Sequence, residues 1–185
     1  MRFDDSVRVL ILNTSVPGSF CAGADLTERR NMTKGQVSKF LADLRAALGK
    51  LESLPMPTIA AIDGPALGGG LELALACDLR VAGMASLATD PIRRIPSLTC
   101  RCPWKGHSVT KIGLPETKLG IIPGAGGTQR ATRILGLSKA KDLIFTGRML
   151  TASQAEELGT SLCLSLEEGY LTYPGVLRTG GLRIG

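Results

Sequence analysis

Apolar residues are distributed along this chain with two different periods. Val7 to Leu12 (Val-Arg-Val-Leu-Ile-Leu) is a β-branched run that stops at Asn13-Thr14 and predicts a buried strand. From Met32 to Leu54, Val37, Phe40, Leu41, Leu44, Leu48 and Leu51 recur close to the helical period. That pattern ends before Pro55-Met56-Pro57, which predicts a helix and its stop. A short strand is expected over Thr58 to Ile62, a buried helix over 67 to 77, and another strand over Asp78 to Ala82. Further on, Lys111 to Leu114 reads as a strand. Gly126 to Leu135 reads as a helix entered through Pro123-Gly124-Ala125-Gly126-Gly127. Ser138 to Phe145 reads as a helix capped by Ser138, and Ser153 to Leu158 as a short capped helix ending at Gly159. Strands alternating with helices imply an α/β fold.

Two stretches depart from this pattern. Residues 84 to 107 mix Pro91, Pro96 and Pro103 with scattered arginines and have no periodicity, so they read as a loop or insertion. Thr160 to Gly185 is glycine-rich with little amphipathic pattern, so a disordered tail is expected there.

Within the buried helix, Glu72 stands among Leu71, Leu73, Ala74 and Leu75, directly after Gly68-Gly69-Gly70. A carboxylate removed from water shifts its pKa or finds a partner, so a glutamate in this position points to chemistry. Three glycines at a helix N-terminus let a ligand approach backbone N–H groups where the helix dipole favours developing negative charge, the anatomy of an oxyanion hole. A dinucleotide site is excluded by spacing. The third small residue would have to stand where Leu73 and Gln129 are found.

Composition adds bounds. The chain has 185 residues, 44% of them hydrophobic and 21% charged, as expected of a single globular domain. Asp63, Glu72 and Asp78 interrupt the longest apolar stretch, so no membrane span is expected. The start, Met1-Arg2-Phe3-Asp4-Asp5, has neither an apolar signal core nor the character of a transit peptide. Five cysteines in no scaffold spacing read as reduced thiols. Cys100, Cys102 and His107 miss the usual zinc spacing, and no metal is expected. Half of the formal charge of +6 comes from residues 84 to 107, where Arg93, Arg94, Arg101 and Lys105 are set against Asp90 alone. Without interleaved aromatics this is a basic loop more than a nucleic-acid surface.

Three ordered motifs carry a resemblance: Phe20-Cys21-Ala22-Gly23-Ala24-Asp25-Leu26, Ile62-Asp63-Gly64-Pro65-Ala66-Leu67-Gly68-Gly69-Gly70-Leu71-Glu72, and Gly113-Leu114-Pro115-Glu116 followed by Pro123 to Arg130. With them the chain resembles the enoyl-CoA hydratase/isomerase (crotonase) family. It looks closest to the mitochondrial hydratase-like branch that includes AU-rich-RNA-binding members. The resemblance implies a crotonase-like α/β fold of repeated β-β-α units around a spiral core, here partial. It implies a lyase that adds water across the double bond of a 2-enoyl-CoA thioester, with no cofactor because CoA belongs to the substrate. In these terms the backbone N–H groups of Ala24 and Gly69 polarise the thioester carbonyl, Glu72 activates the water and Glu116 delivers the proton to Cα. Ala22, Asp25, Leu26, Thr27 and Gly68 become contacts to the CoA thioester. Taken alone, each motif has a plainer reading: Asp25 as a helix cap, Pro115-Glu116 as a solvated turn, Pro123 to Gly127 as a structural turn, Asp63 and Asp78 as strand-end and capping residues.

The resemblance covers Val7 to Gly159 without 84 to 107, which suggests a partial core over 1–159 with an in-frame insertion and a divergent segment over 160–185. Relative to the family, the strands before Val7 and the helices that close the acyl site and build a homotrimer or hexamer have no counterpart. A second reading is therefore an inert isoform that binds full-length subunits or is degraded. Isomerase activity and RNA binding are further alternatives. By resemblance the location is mitochondrial, and otherwise cytoplasmic.

Overall fold

The structure, a computed structural model, describes residues 6–16, 18–83, 110–167 and 170–172. Segment 84–107, with its basic residues, Cys100, Cys102 and His107, lies outside the described residues, as do residues 173–185.

The elements run β1 (Leu10–Leu12), α1 (Leu26–Arg30), α2 (Lys34–Glu52), β2 (Thr58–Ile62), β3 (Ala66–Leu67), α3 (Gly69–Leu75), β4 (Leu79–Gly83), β5 (Ile112–Gly113), a 3-10 turn (Pro115–Leu119), α4 (Gly127–Leu135), α5 (Leu137–Thr146), β6 (Met149–Leu150), α6 (Ala152–Leu158), β7 (Leu162–Glu167) and β8 (Tyr170–Thr172). They form two sheets. The larger has the order β1-β2-β4-β7-β8, parallel except for the antiparallel β7–β8 pair. The smaller has the order β3-β5-β6, with β3 and β5 parallel and β6 antiparallel to β5.

Local chemistry accounts for most boundaries. In α2 a Thr33–Gln36 capping box satisfies the first turn, and α6 starts on a second box, Thr151–Gln154. Leu48 of α2 packs with Ala76 and Ala125, with Leu44, Leu51 and Leu73 around them. The neighbouring strands β2 and β4 are stapled at their starts. Asp78 accepts hydrogen bonds from the backbone N–H and the hydroxyl of Thr58, both at 2.7 Å, and its own N–H donates to the Thr58 hydroxyl at 2.9 Å. Ile62, Leu71, Ile112, Leu114 and Leu143 are fully buried, so the core lies between the sheets and helices α3, α5 and α6.

Two expectations change. The helix over 138–145 begins at Leu137 with Gly136, at φ 79°, as its cap; Ser138 lies inside the first turn and caps nothing. The segment from Thr160, expected to lack order, carries β7, whose residues Leu162, Cys163 and Leu164 pair with Val81, Ala82 and Gly83 of β4. The short repeat Leu-Cys-Leu-Ser-Leu fits a strand once a neighbouring edge is available, and β4 supplies that edge.

Candidate active site

Three segments distant in sequence run side by side, and each leads into a site residue. Leu67 N–H donates to Cys21 C=O at 3.0 Å, Ala66 N–H to Lys111 C=O at 2.8 Å, and Gly68 N–H to Gly113 C=O at 3.0 Å. Following the chain out of this ladder gives Ala24 from the first segment, Gly69 and Glu72 from the second, and Glu116 from the third. The close packing depends on glycine. A Cβ on Gly70 would collide with the carbonyl of Cys21. At Gly68 (φ 54°), a Cβ would lie 3.1 Å from Glu116 Oε1.

Gly69 opens α3, so its N–H is one of the orphan donors of a helix N-terminus. A Cβ on Gly69 would stand 3.7 Å from the backbone nitrogen of Ala24, and one on Gly23 would stand 3.1 Å from the backbone nitrogen of Gly69. The two nitrogens proposed from sequence as a donor pair therefore share one small volume. Asp25 is the N-cap of α1: its Oδ1 accepts the Thr27 N–H at 2.7 Å, as in the plainer reading of that loop. Ala22, Asp25, Leu26 and Thr27 are all exposed, whereas Gly68 is buried beside Glu116.

Glu72 and Glu116 are only 3% and 8% exposed. Glu72 Oε1 accepts two backbone hydrogen bonds at the start of α4, from Ala125 N–H at 2.8 Å and Gly127 N–H at 2.7 Å. Burial pushes the Glu72 carboxyl above its ordinary pKa, while these two bonds and the charges of Arg130 and Arg29 pull it down. Glu116 sits in the 3-10 turn with its Oε2 buried and without a hydrogen-bond partner. Its pKa is raised, first by burial and further by the Glu72 charge, with the hydrogen bond to its own backbone and the charge of Arg29 opposing. Each carboxylate thus lies within the field of a common cation, and Glu116 also feels Glu72. Such an arrangement, with one oxygen of Glu116 uncommitted, suits proton transfer at neighbouring atoms.

Sequence reasoning missed the support beneath Glu72. Arg130, 8% exposed, donates from Nη1 to Ala125 C=O at 2.9 Å, and from Nη2 and Nε to Glu52 at 2.9 and 3.2 Å. It clamps the turn whose N–H groups hold Glu72, so the Pro123–Gly127 turn is structural and part of the site at once. The available signal was an arginine one turn into a helix whose entry is too glycine-rich to cap itself.

The sequence matches the enoyl-CoA hydratase/isomerase family over residues 1–95 and 106–162. It is 54% identical to the enoyl-CoA isomerase/hydratase fer4 of Mycosarcoma maydis, in an alignment covering 86% of this chain and 52% of the relative. It is 48% identical to the human mitochondrial methylglutaconyl-CoA hydratase, covering 86% of this chain and 40% of the relative. A crystal structure of an enoyl-CoA hydratase from Bacillus anthracis superposes with a TM-score of 0.71 at 42% identity, covering 86% of this chain and 53% of that one. The chain spans about half the length of the relatives it matches. Among the described residues no helix is long and apolar enough to cross a membrane.

Proposed function

Because the chain belongs to the enoyl-CoA hydratase/isomerase family, we propose that its site adds water across the double bond of a 2-enoyl-CoA thioester. The observation that carries this reading is the pair of buried carboxylates, one held by two backbone donors and the other with an uncommitted oxygen, beside two converging backbone nitrogens. The thioester oxygen lies between the N–H groups of Ala24 and Gly69, which stabilise the enolate that forms as water attacks Cβ. Losing one such donor typically costs about 100- to 1000-fold in rate. Glu72, its Oε1 fixed, takes a proton from the attacking water. Glu116, its carboxyl pushed toward the protonated form by burial, delivers a proton to Cα. The loop of Ala22, Asp25, Leu26 and Thr27, with Gly68, borders the CoA thioester largely through backbone groups. All of these are the protein's own groups, and CoA enters as part of the substrate.

Two carboxylates favour hydration over double-bond isomerisation, since one base suffices to shuttle a proton between two carbons of the same substrate. A mitochondrial site of action is supported by the names of several relatives. The test is hydration of crotonyl-CoA in H₂¹⁸O, followed by loss of enoyl-thioester absorbance and by label in the 3-hydroxyacyl product. Glu72→Gln and Glu116→Gln are each expected to lower kcat by about 100- to 10,000-fold, with KM little changed. Unlabelled product, or full turnover by either variant, would overturn the assignment.

A further inference from the structure

Leu41, Arg45, Leu48 and Glu52 recur at helical spacing along one face of α2, and that face meets the turn that holds Glu72. A Cβ on Gly124 would lie 2.8 Å from Leu41 Cδ2, and Leu48 packs with Ala125. Glu52 acts through Arg130, which donates to Ala125 C=O. Arg45 donates from Nη1 to Gly124 C=O at 2.9 Å, in a cleft of about 520 Å³ that it lines with Arg29, Leu41 and the turn.

The Arg45 bond differs from the Arg130 bond in the peptide it grips. Gly124 C=O and Ala125 N–H are the two ends of one trans peptide plane and point in opposite directions. Arg45 holds the first end, and the second donates to Glu72 Oε1 at 2.8 Å. Arg130 grips the next plane, through Ala125 C=O, whereas the donors to Glu72 are the N–H groups of Ala125 and Gly127. A peptide plane that follows glycine turns with little steric resistance, because the rotation is shared between Gly124 ψ and Ala125 φ. Turned over, it would present Glu72 with a carbonyl oxygen in place of an N–H. A guanidinium on the carbonyl opposes that rotation and polarises the N–H at the far end.

We propose that Arg45, exposed on α2, is a positioning residue for Glu72: it locks the 124–125 peptide with its N–H on the Glu72 carboxylate. This rests on the role given to Glu72 under the proposed function. The charges that act on the Glu72 carboxyl are those of Arg130 and Arg29, and Glu72 in turn acts on Glu116. Arg45 works instead through the peptide it holds. The other charged groups around it are Arg29 in the same cleft and Glu52, Arg130 and Arg133 in the adjoining one. Burial raises the Glu72 carboxyl and the Ala125 bond pulls it down, so releasing that bond moves the titration of Glu72 to higher pH. A bond that only stiffened the turn would lower the melting temperature and leave the titration in place.

The experiment is a ¹³C NMR titration of the Glu72 carboxyl in the whole chain labelled with [δ-¹³C]glutamate, the resonance assigned by Glu72→Gln. The pH dependence of crotonyl-CoA hydration is measured on the same samples. Arg45→Met is expected to move the Glu72 midpoint and the acidic limb of kcat/KM to higher pH together. It is also expected to lower kcat by about 10- to 100-fold, with KM little changed. Arg45→Lys, which keeps a cationic donor, should fall between Arg45→Met and wild type. Arg133→Met, which removes an exposed arginine from the adjoining cleft, should match wild type. An unmoved midpoint in Arg45→Met, or an equal shift in Arg133→Met, overturns the proposal. If the midpoint moves but wild type hydrates nothing, the hydratase reading fails and the hold on Glu72 stands. Hydration by wild type with an unmoved midpoint in Arg45→Met does the reverse.

Discussion

Replacing Gly127 by alanine tests the engineered closeness of the site. A Cβ at this position would lie 2.8 Å from both Cγ and Oε1 of Glu72 and 3.1 Å from Cβ of Pro123. Carbon atoms rest at about 3.5–4 Å, so either Glu72 or the first turn of α4 must move by roughly 0.7–1 Å. That movement strains or breaks the 2.7 Å bond from Gly127 N–H to Glu72 Oε1. A hydrogen bond to a charged group contributes about 1.5–3 kcal/mol, and forcing extra volume into a packed site costs about 1–3 kcal/mol. Against this stands a helix-propensity gain of at most about 1 kcal/mol. The net expectation is a loss of roughly 2–4 kcal/mol, or about 4–16 °C in Tm at roughly 2–4 °C per kcal/mol for a chain of this size. A displacement of about 1 Å at a reacting group also costs on the order of 100-fold in rate. The matched control is Gly49→Ala, inside α2 with no atom within 4 Å of the new Cβ. It is expected to gain about 0.5–1 kcal/mol from helix propensity alone. Thermal unfolding by circular dichroism, with crotonyl-CoA hydration on the same samples, measures both. If Gly127→Ala melts and turns over like wild type, the contact between the turn and Glu72 does not restrain the carboxylate and the reasoning fails.

Two further outcomes follow from the same geometry. Arg130→Met removes the donor to Ala125 C=O from a buried site. It should destabilise the fold by about 1–3 kcal/mol and lower kcat, whereas Arg133→Met, 69% exposed and 3.5 Å from Glu52, should stay within about 0.5 kcal/mol. Equal unfolding midpoints for the two variants would contradict the clamp. Glu116→Gln should also change how stability responds to pH. The native Glu116 carboxyl is raised above its unfolded value, so the folded state binds this proton more tightly. Its contribution is fully present below the unfolded pKa and is lost as pH rises through the raised native one. The stability of Glu116→Gln relative to wild type should therefore rise from pH 4 toward pH 8, and a flat difference across that range in thermal melts would argue against the raised carboxyl.

How much of this was legible in the sequence differs from element to element. The strand Thr58–Ile62 was read with its observed ends, and α2, α4 and α6 within two residues, because hydrophobic period, proline stops and glycine boundaries are local signals. Gly68-Gly69-Gly70 and the solitary Glu72 announced an unusual helix start, since few other reasons place a carboxylate in an apolar run. β7 went unread because a short strand beside a glycine-rich tail has no signal of its own until β4 offers its edge.

What the amino-acid sequence determined by itself was which groups are present and in what order: three glycine-containing turns, each followed by a group able to act on a polarised carbonyl. What only the tertiary structure decided was their convergence and the state of each. Pairing of Cys21, Ala66–Gly68 and Ile112–Gly113 brings the turns together. The start of α4 chooses which oxygen of Glu72 is held, and Glu116 is left with one oxygen bare. Arg130 is buried as a clamp, while Arg29 lines a cleft and its charge acts on both carboxylates. The physical reason is that period and propensity act over a few residues. Burial, partner choice and the resulting protonation state depend on atoms brought from distant positions, and those exist as neighbours only once the chain has packed.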